Sequence, residues 1–478
     1  MTLWTLLQSS RGPAPVLVAA AAMLAISAGF RALRKRPADS FKRGVRIADA
    51  RATRLRAGGR RRGKVLTLAG VPVPALDETK HFKFVGTTGT GKSTAIRELL
   101  ESALARGDRA VIADPDGGYL ERFHDRYRGD VILNPFEPRS VKWDWFAEIR
   151  NAYDVEQLAS GLIPSSSDAS GQEWRGYART FFTAVARRCH RAGWREPGVL
   201  WRLLTVASHD ELRPLVAGTP ARPFLDPDNA RMFGSIRAVT GSAVAALEYI
   251  EPQRAIGFSV REWVRLHQGR GNLFIPYKAG QIAALRSMIA NWIRLASFEA
   301  MSAGEDRDQH LWFVVDELDA LGAIDGLKDA LARLRKFGGR CVLGFQSVAQ
   351  VSTTYGAGDA QTIVENCGNT LILRCSGSEN GGTSQFASKL IGEREVLRRQ
   401  TTRGRDREGW LAAKGSRRST NISEQCVTEV AVMPSELEQL PDLSGYLKRA
   451  SSPEWLRVRL RPTHGRRRGE PPSSGPGT

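Results

Sequence analysis

The run Gly86-Thr87-Thr88-Gly89-Thr90-Gly91-Lys92-Ser93 satisfies the spacing GxxxxGK[ST]. Such a loop does phosphate chemistry. Glycines let backbone N–H groups curl around phosphate oxygens, and a helix starting at the lysine adds its positive end. Lys92 would reach the β- and γ-phosphates of ATP, and Ser93 would offer a hydroxyl ligand to Mg²⁺, with Thr94 able to assist from the next position. The bland alternative, a glycine turn that happens to precede a lysine, lacks the flanking strand and helix that this sequence supplies.

A phosphate loop needs a carboxylate at the end of another strand to hold the metal's water shell. Leu311 to Val315 are five apolar residues running into Asp316 and Glu317. Asp316 is the candidate metal residue together with Ser93. Glu317 would polarise an attacking water, which marks a hydrolase and not a kinase. Asp114, at the end of the apolar run RAVIAD, competes for the role of Asp316 but has no following Glu. Gln346 ends a further apolar run, where an amide can sense the γ-phosphate. Arg374 lies inside TLILRC, where a cation is costly unless it faces a charge. In an oligomer it could reach a neighbouring nucleotide as an arginine finger; for Gln346 and Arg374 alike, a structural hydrogen bond or ion pair is the alternative.

The elements that must carry these residues are short apolar runs alternating with helical stretches. His81–Val85 precedes the glycine loop and Ser93–Arg106 follows it as a helix. Further strands are expected at Arg109–Asp114, Val131–Pro135, Asn272–Tyr277, Leu311–Glu317, Cys341–Gln346 and Thr370–Cys375. Strands apolar at successive positions and separated by helices imply a parallel sheet covered on both faces, hence an α/β fold. Between 151 and 270 the period becomes helical: Trp174, Tyr177, Ala178, Phe181, Phe182, Val185 and Cys189 share one helix face, and Ser208 with Glu211 fits a capping box. The expected layout is therefore a first motor segment at 65–150, an inserted all-α domain at 151–270, a second motor segment at 271–450, and a basic disordered tail at 451–478, rich in Arg, Pro, Ser and Gly from Gly465 onward.

Charge is distributed unevenly. The 478 residues carry 70 Lys+Arg against 50 Asp+Glu, a net +20. Residues 31–64 hold +12 and residues 457–478 hold +5, so 65–456 are almost neutral at +2. Basicity in the flanks weakens an argument for nucleic-acid binding from net charge alone. The first flank follows Gly12–Phe30, nineteen residues without a charge, long enough to span a bilayer. Arg31, Arg34, Lys35 and Arg36 come directly after it, which places the C-terminal bulk in the cytoplasm and the span in an inner membrane. A cleaved signal would carry its basic residues before the apolar run. The chain is thus expected to have an N-terminal segment 1–30 with a transmembrane helix at about 12–30, then a basic cytoplasmic linker at 31–64. Five cysteines without CxxC spacing exclude a zinc module and a disulfide scaffold.

Taken together these residues resemble the conjugative coupling proteins of the TraD/TrwB type, the ATPases of type IV secretion. The likeness runs over residues 65 to 450. It includes Asp114-Pro115-Asp116-Gly117, Val131 to Phe136, Trp143 to Ile149, Met433 to Leu437, and Leu440 to Leu443. The resemblance implies a RecA-like motor with an inserted all-α domain, ATP and Mg²⁺ as ligands, and a hexameric ring that moves DNA. Its implied partners are a relaxase or relaxosome and the secretion channel proteins. Members usually have two membrane helices, and this sequence offers one.

Two other functions compete with a DNA-translocating ATPase. One is a receptor for protein cargo with ATP as a switch, and the other a DNA pump of the FtsK/HerA kind. An ABC-type ATPase is disfavoured, since Leu443-Ser444-Gly445-Tyr446 breaks off before an LSGGQ-like signature is complete. A translocase should grip DNA by its phosphates without regard to sequence. Lys328, Arg333, Arg335, Lys336, Arg398 and Arg399 are the candidate contacts, with a solvated helix face as their bland reading.

Overall fold

The computed structural model describes residues 40–50, 65–166, 169–266, 271–302, 310–379, 381–405 and 418–462. They fall into two compact units, one of residues 46–391 with 432 onward, the other of residues up to 45 with 392–431.

The larger unit is built on ten strands: β1 (Ile47–Asp49), β2 (Phe82–Val85), β3 (Arg109–Pro115), β4 (Val131–Ile132), β5 (Leu273–Tyr277), β6 (Leu311–Val315), β7 (Gly339–Phe345), β8 (Asn369–Ile372), β9 (Ser444–Lys448) and β10 (Trp455–Arg459). Their spatial order is β1-β10-β9-β8-β2-β7-β6-β3-β5-β4. From β8 to β4 every neighbour is parallel, whereas β9 pairs antiparallel with both β8 and β10. The sheet is therefore mixed. Helices cover both faces of the parallel part, so β2, β5, β6 and β7 are buried at every position. Phe82, Phe84, Phe274 and Trp312 are fully buried, each worth about 1.5–3 kcal/mol in transfer from water.

Charged residues inside these strands are matched by partners. Lys83, in the middle of β2, donates to the carbonyls of Val364 (3.0 Å) and Cys367 (2.6 Å), the last of a helix spanning Ala357–Asn366. It satisfies groups that a helix end leaves open, and burial lowers its pKa. Arg340 in β7 and Arg106 share Glu78, and Asp108 accepts from Arg106 and from the Trp312 indole.

Helix α1 (Lys92–Ala105) follows β2, and the six-residue α2 (Gly118–Phe123) follows β3. After β4 the chain leaves the sheet for α3 (Asp154–Leu162), α4 (Ala169–Arg191), α5 (Pro197–Thr205), α6 (His209–Val216), α7 (Ala230–Val244) and α8 (Val260–Arg265), and re-enters it at β5. Phe181 of α4 meets Phe233 of α7 edge-on at 5.1 Å. Ser208 caps α6, its Oγ accepting from Glu211 N at 3.2 Å, while the Glu211 side chain pairs with Arg202 and leaves the box half made. A short parallel pair, Lys142–Trp143 with Gly257–Phe258, ties the two ends of this helical stretch together.

Three expectations are corrected. Residues from 451 were read as disordered tail, yet β10 lies in the sheet with Leu456 and Val458 buried. Its alternation WLRVR puts arginines on the open face, which masked a strand as basic tail. Second, the 31–64 linker contains β1, which pairs parallel with β10. Third, residues 392–431 do not continue the motor. They form the smaller unit, in which strands Glu393–Arg405 and Arg418–Val430 pair antiparallel and Ser40–Gly44 pairs with the first. Cross-strand ion pairs such as Arg399–Glu424 (2.6 Å) line this ribbon.

Among the described residues no helix is long and apolar enough to cross a membrane. The expected span at 12–30 lies outside them, as do residues 51–64 and 463–478.

Candidate nucleotide site

The phosphate loop leaves the C-terminal end of β2 between β7 and β8 and is stitched to both. Gly86 N donates to Phe345 O at 3.3 Å and Thr87 N to Arg374 O at 2.9 Å. Gly89 and Gly91 have φ of 77° and 115°, the left-handed region open to glycine. A Cβ on Gly91 would also stand 2.8 Å from Leu443 Cδ2, so the position is closed to side chains twice over. Thr90 Oγ1 donates to Thr87 O at 2.7 Å and tightens the bend.

Lys92 is buried under this loop, its Nζ donating to Gly86 O at 2.6 Å and Thr87 O at 3.2 Å. Burial lowers its pKa while Asp316 and Glu317 oppose that. Phosphate oxygens offer the same ammonium stronger acceptors than carbonyls do. Ser93 Oγ donates to Asp316 Oδ2 at 2.7 Å, which keeps the lone pairs of its oxygen available to a cation. Thr94 sits beside it, half-buried on the first turn of α1.

Asp316 follows β6 directly and is 3% exposed. Its Oδ2 accepts from Ser93 and also from the Tyr119 hydroxyl at 2.7 Å, while its buried Oδ1 has no partner among the described residues. A buried, unpaired carboxylate oxygen beside a serine hydroxyl fits a hydrated Mg²⁺. Glu317 is half-buried, with its pKa raised chiefly by burial, opposed by a hydrogen bond from Gln346, and raised further by Asp316 and Asp319. Gln346 Nε2 donates to Glu317 Oε1 at 2.9 Å, and Thr88 Oγ1 donates to Gln346 Oε1 at 2.9 Å. Because β7 lies between β2 and β6, one amide spans from the phosphate loop to the candidate base.

Arg374 stands two residues past β8, which ends at Ile372, and so not inside a strand. Its guanidinium pairs with Asp442 at 2.7 Å and its carbonyl holds Thr87. Asp114 does not compete for the metal role: its oxygens accept from Tyr119 N (3.1 Å) and Leu120 N (2.6 Å) at the start of α2, and burial raises its pKa to about 6.

Sequence reasoning missed two neighbours of the site. Tyr119 follows a turn in which Asp116 and Gly117 are both left-handed, with φ of 61° and 77°; the run Asp-Gly-Gly before an aromatic was the available signal. Leu443 is left-handed too, with φ of 62°, and its N–H donates to Thr90 O at 2.9 Å. It stands in the run Leu440 to Leu443 that carries the family likeness, but nothing in that run places it at the phosphate loop.

The basic candidates for DNA contact divide between the two units. Lys328, on helix α9 (Leu327–Leu334), pairs with Asp359 at 2.8 Å; Arg333 is exposed on the same helix, and Arg335 and Lys336 are exposed on the turn after it. Arg398 and Arg399 belong to the ribbon of the smaller unit, bonded to Glu429 and Glu424.

The model of the type IV secretion-system coupling protein DNA-binding domain matches residues 65–461. The chain belongs to this coupling-protein family. It is 31% identical over 391 residues to coupling protein TraD of Escherichia coli K12, an alignment covering 80% of this chain and 52% of TraD. It thus spans only about half of TraD and about three fifths of the Escherichia coli conjugal transfer protein TraG. The unbound bacterial conjugative coupling protein TrwB superposes with a TM-score of 0.78 at 32% identity, over 90% of this chain and 96% of that one. TrwB in complex with ADP and Mg²⁺ gives 0.77 at 33% identity, over 90% and 95%. The mixed sheet with the phosphate loop at the C-terminal end of its parallel strand β2 is the RecA-like NTPase fold of the family.

Proposed function

We propose that this coupling protein is a membrane-anchored, ATP-hydrolysing DNA translocase. It delivers a DNA–relaxase substrate to a type IV secretion channel, as a homo-oligomer, a hexamer, held at the inner membrane by residues 12–30 with its bulk in the cytoplasm. The motor is formed by β1, residues 65–150 and 271–391, and residues 432–460, with 151–270 as the inserted helical domain. One observation carries the reading: Thr88, Gln346 and Glu317 form a single hydrogen-bonded chain from phosphate loop to base, beside the Ser93–Asp316 pair.

The residues divide the work. Lys92 exchanges two loop carbonyls for phosphate oxygens. Ser93 and Asp316 hold Mg²⁺, which when bound supplies positive charge to the phosphates. Glu317 presents Oε2 to a water and takes its proton, because Oε1 is engaged by Gln346. Thr88 touches Gln346 at the loop's tip, so a change at the phosphates moves the amide that holds the base. Arg374, paired with Asp442 at the edge of the loop, is the candidate to reach a neighbouring subunit's nucleotide. DNA is held by its phosphates, without sequence preference.

The test is ATP hydrolysis by the full chain with and without DNA, alongside its mass in solution. Stimulation by DNA of unrelated sequences, in an oligomer, is expected. Hydrolysis indifferent to all DNA would refute the translocase and favour nucleotide as a switch on a protein receptor.

A further inference from the structure

Tyr119 is 1% exposed, and its phenol reaches the candidate metal carboxylate from α2, beyond the end of β3. Three contacts fix it there. The Asp114 carboxylate accepts from Tyr119 N and Leu120 N, which clamps the first turn of α2. The left-handed pair Asp116 and Gly117 turns the chain from β3 into that helix. The Arg97 guanidinium, on the phosphate-loop helix α1, lies 5.5 Å from the centre of the phenol ring. The hydroxyl then donates to Asp316 Oδ2, the same oxygen that Ser93 uses. Two donors on one oxygen leave the carboxylate a single orientation, with Oδ1 bare and buried. With Ser93 alone the plane of the group could swing about its Cβ–Cγ bond, away from the orientation that the phenol fixes.

We propose that Tyr119 is a positioning residue for the cation: its phenol locks the Asp316 carboxylate against Ser93, the other side chain that would hold the metal. The inference rests on the nucleotide-site reading above. A hydrogen-bonded neighbour of a metal-holding side chain typically changes metal affinity by about 10–100-fold, so the phenol should govern Mg²⁺ dependence more than nucleotide binding itself.

The experiment uses the full chain and a fluorescent ATP analogue, titrated with MgCl₂ and, separately, in EDTA. Tyr119→Phe keeps the ring and its packing and removes one hydrogen bond. The Mg²⁺ concentration at half-maximal nucleotide binding should rise at least tenfold, with affinity in EDTA and the urea midpoint close to the parent's. A residue that only packed would move the urea midpoint and leave the Mg²⁺ midpoint in place. An Mg²⁺ midpoint within twofold of the parent's overturns the proposal, and so does a rise matched by an equal loss of affinity in EDTA. Should the parent itself bind the analogue without any help from Mg²⁺, the site reading fails and not the role of Tyr119 alone. If Tyr119→Phe does not fold, Asp114→Asn carries the test. It keeps the phenol but loosens the clamp on α2, and its Mg²⁺ midpoint must rise as well.

Discussion

Replacing Glu317 by Gln separates chemistry from binding. The carboxylate has one oxygen held by Gln346 at 2.9 Å, and the other has no hydrogen bond among the described residues. In Glu317→Gln the amide oxygen can still accept from Gln346, while an NH₂ with no lone pair to offer replaces the other oxygen. Loss of a general base costs about 10²–10⁴ in rate, or about 3–5 kcal/mol of barrier. Stability should hold or rise slightly, since burial and the neighbouring carboxylates of Asp316 and Asp319 already disfavour the charge. Gln346→Ala tests the same contact from the other side. A hydrogen bond to a charged group is worth about 1.5–3 kcal/mol, and partial exposure points to the lower figure, hence about tenfold in turnover. In the double variant the base is already gone, so removing Gln346 should cost less than about threefold more. The assay is phosphate release at saturating ATP and Mg²⁺, with nucleotide affinity measured on the same samples. Fully multiplicative losses would refute the idea that Gln346 acts through Glu317. Turnover by Glu317→Gln within threefold of the parent would remove Glu317 as the base.

Lys92→Ala should lose nucleotide affinity and turnover together, with the fold intact by circular dichroism; hydrolysis at the parent rate would displace the site. His81 is buried with φ of 53°, its Nε2 bonded to Leu331 O at 2.8 Å and its Nδ1 accepting from Cys341 N at 3.1 Å, and burial pushes its pKa down to about 4 from 6.5. Below pH 6.5 the unfolded chain takes up a proton that the folded one refuses, so the contribution is complete above 6.5 and is lost as pH falls toward 4. By pH 5 that is about 2 kcal/mol at about 1.36 kcal/mol per unit. His81→Asn, whose side chain tolerates the left-handed backbone, should flatten this part of the slope in urea midpoints measured at pH 7.5 and 5; an unchanged slope would count against a neutral His81. Last, a fragment starting at residue 65 should be less stable than one starting at 46 by about 2 kcal/mol, the worth of a few ladder bonds, and more prone to associate. It lacks β1 and leaves β10 as an open edge; equal unfolding midpoints would show β1 to be dispensable.

The parallel core was legible because its strands are buried on both faces and so read as unbroken apolar runs, as LWFVV does. The phosphate loop was legible because its chemistry demands fixed residue types. The antiparallel additions were not. β10 alternates Leu and Val with Arg, and the ribbon at 393–430 carries charge on both strands, so each resembled solvent-exposed chain. Asp114 had the right residue type at a strand end, but only the structure shows both its oxygens committed to α2. Tyr119 and Asp316 are 197 positions apart, and no local period links them.

Leu443 and Leu460 bear on Gly91 from the far end of the chain, and Leu443 N closes on Thr90 O. The outer wall of the phosphate loop is thus supplied by segments some 350 positions downstream of Gly91. During synthesis the loop is among the first parts of the motor to leave the ribosome and its wall among the last. A nascent chain therefore carries the phosphate-binding residues long before they can be held in shape. Tight nucleotide capture becomes a mark of a finished polypeptide, and chains cut short ahead of Leu443 should be poor competitors for ATP.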